Sequence, residues 1–155
     1  MEAVRKKLQQ ELIELEEELR FKLPKEIQKA REYGDLRENA EYKAAMERQK
    51  IVMARVVQLS NRIGELESID MSKIPTDRAA YGSIVNLLDL DRGEKVTYKL
   101  VTSEESDPEK GLISTVSPIG QSLMGKEEGD EVKVKTPTGW RNFEITRLTT
   151  IHEQQ

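Results

Sequence analysis

The stretch with the most potential for chemistry is Gly34 to Tyr42, which reads GDLRENAEY. It carries carboxylates at every third position, at Asp35, Glu38 and Glu41, and contains neither histidine nor cysteine. Carboxylate oxygens alone suit a hard cation such as Mg²⁺ or Mn²⁺. Mg²⁺ takes about six ligands in near-octahedral geometry, which two or three acids on one turn cannot supply. The pattern therefore predicts an incomplete metal site that a partner protein would have to complete.

A purely structural explanation of these acids stays open. Asp35 followed three residues later by Glu38 is the pattern of a capping box, and acids in a first helical turn suit the helix dipole. Glu32 to Glu41 nevertheless carries a net charge of −3, which is more acid than a cap requires. The two explanations are compatible, because a cap can also hold a ligand.

Two long helices are predicted to position this turn. The segment from about Glu2 to Tyr33 has one apolar stripe whose members are three or four positions apart. Its spacing slips to consecutive fours near Pro24, which predicts a kink or stutter there. The members of this stripe are Leu8, Leu12, Leu15, Leu19, Leu23, Ile27 and Ala30.

The second helical segment has a more regular heptad seam with one polar position. The short connection at Gly34 forces the two helices to run antiparallel. An oligomeric coiled coil would show the same periodicity and stays an alternative. The members of this seam are Tyr42, Ala45, Gln49, Val52, Val56, Leu59, Ile63 and Leu66.

The helical segments behind the turn are basic. Arg20 to Arg31 and Lys43 to Arg62 each carry a net charge of +4. An ordinary solvated helix surface would account for such runs. The functional interpretation is that this basic shaft follows a phosphate backbone or an acidic channel while the tip delivers carboxylates to a cation.

Composition limits the other possibilities. The chain of 155 residues has a net charge of −4, so any contact with nucleic acid must come from a local patch. The absence of cysteine excludes a disulfide framework and a thiolate metal site. The charged N-terminus does not resemble a signal peptide and no apolar run is long enough to cross a membrane, so we expect a cytoplasmic protein without membrane contact.

The pattern becomes strand-like in the second half of the chain. Short β-rich runs alternate with turn signals, and Ser117-Pro118 starts a short helix. We predict an antiparallel coiled-coil hairpin over 1–70 with its acidic tip near 34–42, a linker over 71–79, and a small α+β domain over 80–155. Because strands and helices are segregated along the chain, its sheet should be mostly antiparallel. His152, the only histidine, is expected to lie at a frayed C-terminus without a role.

Two motifs, GDLRENAEY and SPIGQSLMGKEEGDEVKVKTPTG, resemble the bacterial Gre transcript-cleavage factors, and more closely the GreA branch. The resemblance covers nearly the whole chain. It implies a monomeric elongation factor, not itself an enzyme, whose coiled coil enters the secondary channel of bacterial RNA polymerase. Asp35 and Glu38 would help the polymerase hold a second Mg²⁺ and a water, so that the backtracked RNA 3′ end is cut. Glu41 and Tyr42 would complete the tip.

The resemblance also assigns binding residues. The C-terminal domain would be FKBP-like and would dock at the channel rim, with Ser114 and Pro118 at the matching contact positions. Val116 stands where the family pattern has Asp or Asn, and Met46 replaces a basic residue that is often present. The chain is also expected to lack a few residues that precede the first helix in the family. The nucleic-acid-binding residues, including any that contact DNA, would be Arg31, Arg37, Lys43 and Arg48.

Three other functions compete with this one. A Gre-like competitor would occupy the channel and inhibit the polymerase without stimulating cleavage, although the intact Asp35 and Glu38 argue against it. A prolyl isomerase would need an apolar aromatic pocket, and the C-terminal domain has few aromatics. A structural coiled-coil adaptor would self-associate through the stripe from Leu8 to Leu23.

Overall fold

A computed structural model describes residues 1–34 and 39–154. The chain divides into two compact units, one from Met1 to Ile69 and one from Asp70 onward. Asp35, Leu36, Arg37 and Glu38, which belong to the predicted acidic tip, lie outside the described residues. No helix in the described part is long and apolar enough to cross a membrane.

The first unit is the predicted helical hairpin. Polar pairs between its two arms run in opposite directions along the chain, Glu18 with Arg48 and Glu11 with Arg55, as an antiparallel arrangement requires. The heptad seam of the second arm faces the first arm and is buried or half-buried along its length. The helices are α1 (Glu2–Glu17), α2 (Leu23–Arg31) and α3 (Ala40–Glu67).

A π-helical segment, Glu18–Lys22, joins α1 to α2. The Leu23 N–H donates to the Glu18 carbonyl, five residues back, instead of to the residue four back. Pro24 follows at once and has no N–H to donate, so the regular bonding pattern cannot continue through this point. The predicted interruption near Pro24 is therefore confirmed, in the form of a π turn. Beyond it Leu23, Ile27 and Ala30 are buried.

The second unit contains a five-stranded sheet and one short helix. The strand order is β3-β2-β1-β5-β4, and the remaining segments include short 3₁₀ turns. A loop and α4 connect β3 to β4, and β4 and β5 form a hairpin. The elements are β1 (Ile84–Asp89), β2 (Lys95–Val101), β3 (Leu112–Ser114), α4 (Pro118–Leu123), β4 (Glu131–Thr136) and β5 (Gly139–Thr149).

The expectation of a mostly antiparallel sheet is wrong, because the sheet is mixed. β1 pairs antiparallel with β2 and β5, and β4 pairs antiparallel with β5, but β2 and β3 are parallel, with Lys99 opposite Leu112. Parallel neighbours need a connection long enough to carry the chain back to the starting end of the first strand. Residues 102–111, with 3₁₀ turns at Ser103–Glu105 and Pro108–Lys110, provide that return. The turn signal at Asp107-Pro108 could equally have closed a hairpin, so the sequence did not reveal the direction of β3.

The core of this unit lies between one face of the sheet and α4. Strand β4 shows the alternation most clearly, since Val132 and Val134 are buried while the lysines between and after them are exposed. Leu123 of α4 covers the centre of this face and is fully buried. The core cluster is Ala79, Val85, Leu87, Leu100, Leu123, Val132, Val134, Phe143, Ile145 and Leu148.

The end of the described chain is held in place, so the prediction of a frayed segment around His152 is wrong. His152 lies in a 3₁₀ turn, Ile151–Glu153, with a capping box at Thr150. Its Nε2 is 2.8 Å from the Ile74 carbonyl oxygen, and the Gln154 side chain donates to the Gly82 carbonyl at 2.7 Å. The single histidine thus has a structural contact within the second unit.

Candidate functional site

The predicted site residues at the tip fall into two groups. Asp35, Arg37 and Glu38 lie outside the described residues. Glu41 and Tyr42 are in the first turn of α3, where Glu41 is exposed and Tyr42 is half-buried as part of the seam. The backbone break at Gly34 has a φ of +109°, a value that glycine adopts at little cost. Within the parts described, residues 1–34 and 39–154, no group of three or more acidic, histidine or cysteine side chains could hold a metal ion.

Asn39 closes the tip, and sequence reasoning missed it. Its side-chain oxygen accepts a hydrogen bond from the Tyr42 N–H at 3.0 Å, which makes Asn39 the N-cap of α3. Its amide nitrogen donates to the carbonyl of Ala30, near the end of α2. One side chain therefore ties the start of the second arm to the end of the first. The N-cap of α3 is Asn39 and not Asp35, so capping of α3 does not explain the acids at Asp35 and Glu38.

Arg31 and Tyr42 are in contact next to the Asn39 hydrogen bonds. The Arg31 guanidinium carbon lies 5.9 Å from the centre of the Tyr42 ring, which is within the range of a cation–π contact. Arg31, which was predicted to bind nucleic acid, thus packs on the ring of Tyr42. An open groove of about 430 Å³ runs along the hairpin nearby, and its lining includes the charged or aromatic side chains of Glu26, Lys29, Tyr33, Glu41 and Arg48.

Two arginines of the predicted basic shaft form ion pairs between the two arms of the hairpin. Arg48 donates from Nε and Nη2 to the two carboxylate oxygens of Glu18, at 2.8 and 2.9 Å. Arg55 does the same to Glu11, at 2.9 and 3.1 Å. These hydrogen bonds hold the pKa of both glutamates below its usual value, against the opposing effect of burial. Lys43 is exposed and has no ion pair among the described residues.

A second candidate site lies in the C-terminal unit. Ser114 and Pro118, the two predicted polymerase contacts, line the same mostly apolar groove of about 400 Å³. Two further prolines and two isoleucines contribute to its walls, and Lys135 is its one charged lining residue among those described. The lining is Ser106, Pro108, Ile113, Ser114, Ser117, Pro118, Ile119, Lys135 and Pro137.

The turn that carries Ser114 and Pro118 is tightly built. The Ser117 hydroxyl donates to the Ser114 carbonyl at 2.7 Å and accepts from the Gly120 N–H at 3.1 Å, which caps α4. A side chain at Gly120 would overlap the Ser114 carbonyl oxygen, so only glycine allows this approach. The turn holds Pro118 exposed at the first position of α4, and Val116 beside it is 66% exposed. Ser114 itself is buried, and its hydroxyl accepts from the Val116 N–H at 3.2 Å, so of the two predicted contact residues Pro118 is exposed and Ser114 is not.

A helical hairpin followed by a separate mixed α+β unit defines a class of two-domain protein. Two family models match this chain, one for the N-terminal part of transcription elongation factors over residues 2–67 and one for the C-terminal part of GreA/GreB over residues 74–150. The chain belongs to the GreA/GreB family of transcription elongation factors.

Several relatives share about half of their residues with this chain. The transcription elongation factor GreA of Desulfotalea psychrophila is 49% identical over 145 residues, covering 94% of this chain and 90% of the relative. GreA of Nitratiruptor sp. is 49% identical over 142 residues, covering 92% and 86%. These names confirm the predicted GreA branch, and they agree with a role as an elongation factor and not an enzyme.

Among solved structures, GreA factor homolog 1 of Thermus thermophilus is 25% identical, with a TM-score of 0.44 over 93% of each chain. That likeness is too low to carry an argument about this chain.

Proposed function

We propose that this protein inserts its helical hairpin into the secondary channel of bacterial RNA polymerase and stimulates cleavage of backtracked RNA 3′ ends. The observation that carries the proposal is the match of both halves to the family, together with a tip motif whose acids are not needed to cap α3. The protein would act in the cytoplasm as a monomer and rescue arrested transcription complexes.

The chemistry would be shared with the polymerase. Asp35 and Glu38 would contribute carboxylate oxygens to one Mg²⁺, and the polymerase would provide the remaining ligands, because two acids cannot fill the coordination shell. In phosphodiester hydrolysis a pair of ions stabilises the attacking and leaving oxygens, and the helper would fix the more weakly held ion. Glu41 and Tyr42 would support the tip, with Tyr42 positioned by the seam and by Arg31.

The nucleic-acid contacts would be shared unequally among the basic residues. Arg48 forms a two-fold hydrogen-bonded pair with Glu18, so much of its charge is already balanced within the hairpin. Lys43, which is exposed at the start of α3, is better placed to meet RNA. Arg31 would contribute from α2, and Arg37 from the tip.

The C-terminal unit would dock at the rim of the channel through the groove that Ser114 and Pro118 line. We further propose that this unit is FKBP-like in fold and lacks isomerase activity. A prolyl isomerase needs an aromatic pocket, whereas the described lining of this groove is made of prolines, serines, isoleucines and one lysine. A standard proline-peptide isomerisation assay should therefore give no rate above background.

The decisive experiment uses a stalled bacterial transcription complex with end-labelled RNA and Mg²⁺. We expect rapid 3′-end cleavage with the native protein, and at least a tenfold loss of rate with Asp35→Ala or Glu38→Ala, while binding to polymerase survives. Glu32→Ala is the matched control, because it removes an exposed acid just before the tip and should preserve cleavage.

Two other outcomes point elsewhere. Inhibited elongation without cleavage by the native protein would identify a channel competitor. Loss of polymerase binding in parallel with cleavage in the two tip variants would identify the acids as structural.

A further inference from the structure

The β4–β5 hairpin presents a basic and aromatic surface next to the proposed docking groove, which Lys135 also lines. Trp140, the only tryptophan in the chain, is 61% exposed. Lys135 lies directly opposite it in the strand pairing, and Lys133 is opposite Asn142. Since Val132, Val134 and Phe143 point into the core, Lys133, Trp140 and Asn142 belong to the face of the sheet that α4 does not cover, and Lys135 lies at its edge beside the groove.

The cation and the ring are already in contact. The Lys133 ammonium lies 5.6 Å from the centre of the Trp140 ring, within cation–π distance. Neither Lys133 nor Lys135 forms an ion pair with any residue that the structure describes. The third basic residue of the hairpin, Arg141, is engaged elsewhere, with Asp89 at 3.5 Å and with Thr138 at 2.9 Å.

The charge of this hairpin is opposite to that of the whole protein. Residues 133–141 contain Lys133, Lys135 and Arg141 and no acid, while the chain carries −4. A local positive patch on an acidic protein is the feature expected of a specific anion contact. Glu131 and Glu144 face each other across the same strand pair and bound the patch on its far side.

We propose that Trp140, Lys133 and Lys135 bind single-stranded RNA, with a base stacked on the indole ring and the adjoining phosphates on the two ammonium groups. Stacking on an exposed aromatic ring beside lysines is a general means of holding unpaired bases. The choice of RNA over DNA rests on the proposed function, because a factor working on transcription complexes meets extruded transcript. The binding itself is independent of Asp35, Glu38 and the polymerase.

The single tryptophan provides a direct readout. Titration of the native full chain with an oligouridylate of about ten nucleotides at low salt should quench the fluorescence of Trp140. The double variant Lys133→Glu/Lys135→Glu should weaken binding at least tenfold. The logarithm of the association constant should fall with the logarithm of the salt concentration with a slope of about −1.4, as expected for two neutralised phosphates on a single strand.

Three matched variants make the test specific. Lys95→Glu/Lys99→Glu reverses two exposed lysines on β2 of the same unit and should leave the quenching unchanged. Lys6→Glu changes an exposed lysine of α1 in the helical hairpin and should also have no effect on Trp140 fluorescence. Trp140→Leu, followed by the anisotropy of labelled RNA, should lower the affinity about tenfold through the loss of stacking.

The proposal is overturned if RNA fails to quench Trp140, or if the native protein and the Lys133/Lys135 variant bind equally. Tighter binding of the matching deoxyoligonucleotide would overturn the assignment to RNA. Stimulated transcript cleavage by the native protein in the absence of quenching would reject this surface and leave the proposed function intact. Quenching without stimulated cleavage would support this RNA-binding surface and reject the proposed function.

Discussion

Asn39 performs two jobs with one amide side chain. Its oxygen caps α3, and its nitrogen reaches the Ala30 carbonyl near the end of α2. A serine or aspartate at the same place could accept the Tyr42 N–H, but an ionised aspartate has no donor and serine has only one polar atom for both contacts. The amide therefore fixes the distance between the two arms at the point where the proposed site begins.

Replacement of Asn39 should weaken the hairpin. We expect Asn39→Ala to lower the free energy of unfolding by about 1 kcal/mol through the lost cap, and more if the bond to Ala30 also contributes. Asn39→Ser keeps a cap acceptor and removes only the donor, so it should lie between the native protein and the alanine variant. Urea unfolding followed by circular dichroism measures all three. Equal midpoints for native protein and Asn39→Ala would show that the cap contributes nothing.

Sequence reasoning left an N-cap at Asp35 open and did not consider Asn39, which is the N-cap of α3. Both Asp35 and Asn39 are good N-cap types, and both precede helix-forming residues. The choice between them depends on where the helix must begin for Tyr42 to pack in the seam against α2. Packing decides this point, and no local pattern encodes it.

At the scale of the helices, two paired arginines bind the arms of the hairpin to each other. Arg48 reaches Glu18 in the π segment, and Arg55 reaches Glu11 in α1. Both glutamates have a pKa below the usual value, chiefly because of the hydrogen bonds from the arginines. The pairs are exposed to solvent, so they contribute modestly to stability and more to the register of the two arms.

The lowered pKa values predict a pH dependence with a definite sign. A carboxylate whose pKa is lower in the folded state stabilises the fold above its unfolded pKa, near 4.5, and loses that contribution as the pH falls through the lower folded value. The native protein should therefore exceed Glu11→Gln/Glu18→Gln in urea midpoint at pH 6. The difference should shrink toward zero as the pH falls below about 4. A difference that does not change with pH would contradict this account.

The spacing of apolar residues predicted the hairpin and its interruption, since burial of one helical face imposes a period that can be read from the chain. The ion pairs between the arms could not be predicted, because they join residues 30 and 44 positions apart. The parallel pairing of β2 and β3 was missed for a similar reason. Strand direction depends on the path of residues 102–111 in space, while turn residues alone favour a simple reversal.

For the whole molecule, the two compact units carry different parts of the proposed function. The tip acids belong to the first unit, and the groove lined by Ser114 and Pro118 belongs to the second. Chemistry and docking should therefore separate in mutants, because the two sets of residues belong to different compact units.

Steady-state cleavage assays can detect this separation. Pro118→Ala should raise the factor concentration needed for half-maximal cleavage about tenfold, while the rate at saturation stays unchanged. Asp35→Ala should lower the rate at saturation and leave the half-maximal concentration unchanged, because it affects only the transition state. Gln121→Ala, on the exposed side of α4 away from the groove, is the control for Pro118. A fall in the saturating rate with Pro118→Ala would show that the second unit takes part in more than docking.

The π turn at Glu18–Lys22 has a consequence for how this hairpin can change its length. Elsewhere in the two arms, adding or deleting one residue would turn everything beyond it by about 100° and move the apolar stripe off the seam. A π turn already contains one residue more than an α turn, so deleting one residue within it would restore an α turn and keep the flanking faces aligned. Deletion of a single residue is thus tolerable within this segment. Natural variation in the reach of the hairpin should be concentrated between Glu18 and Lys22.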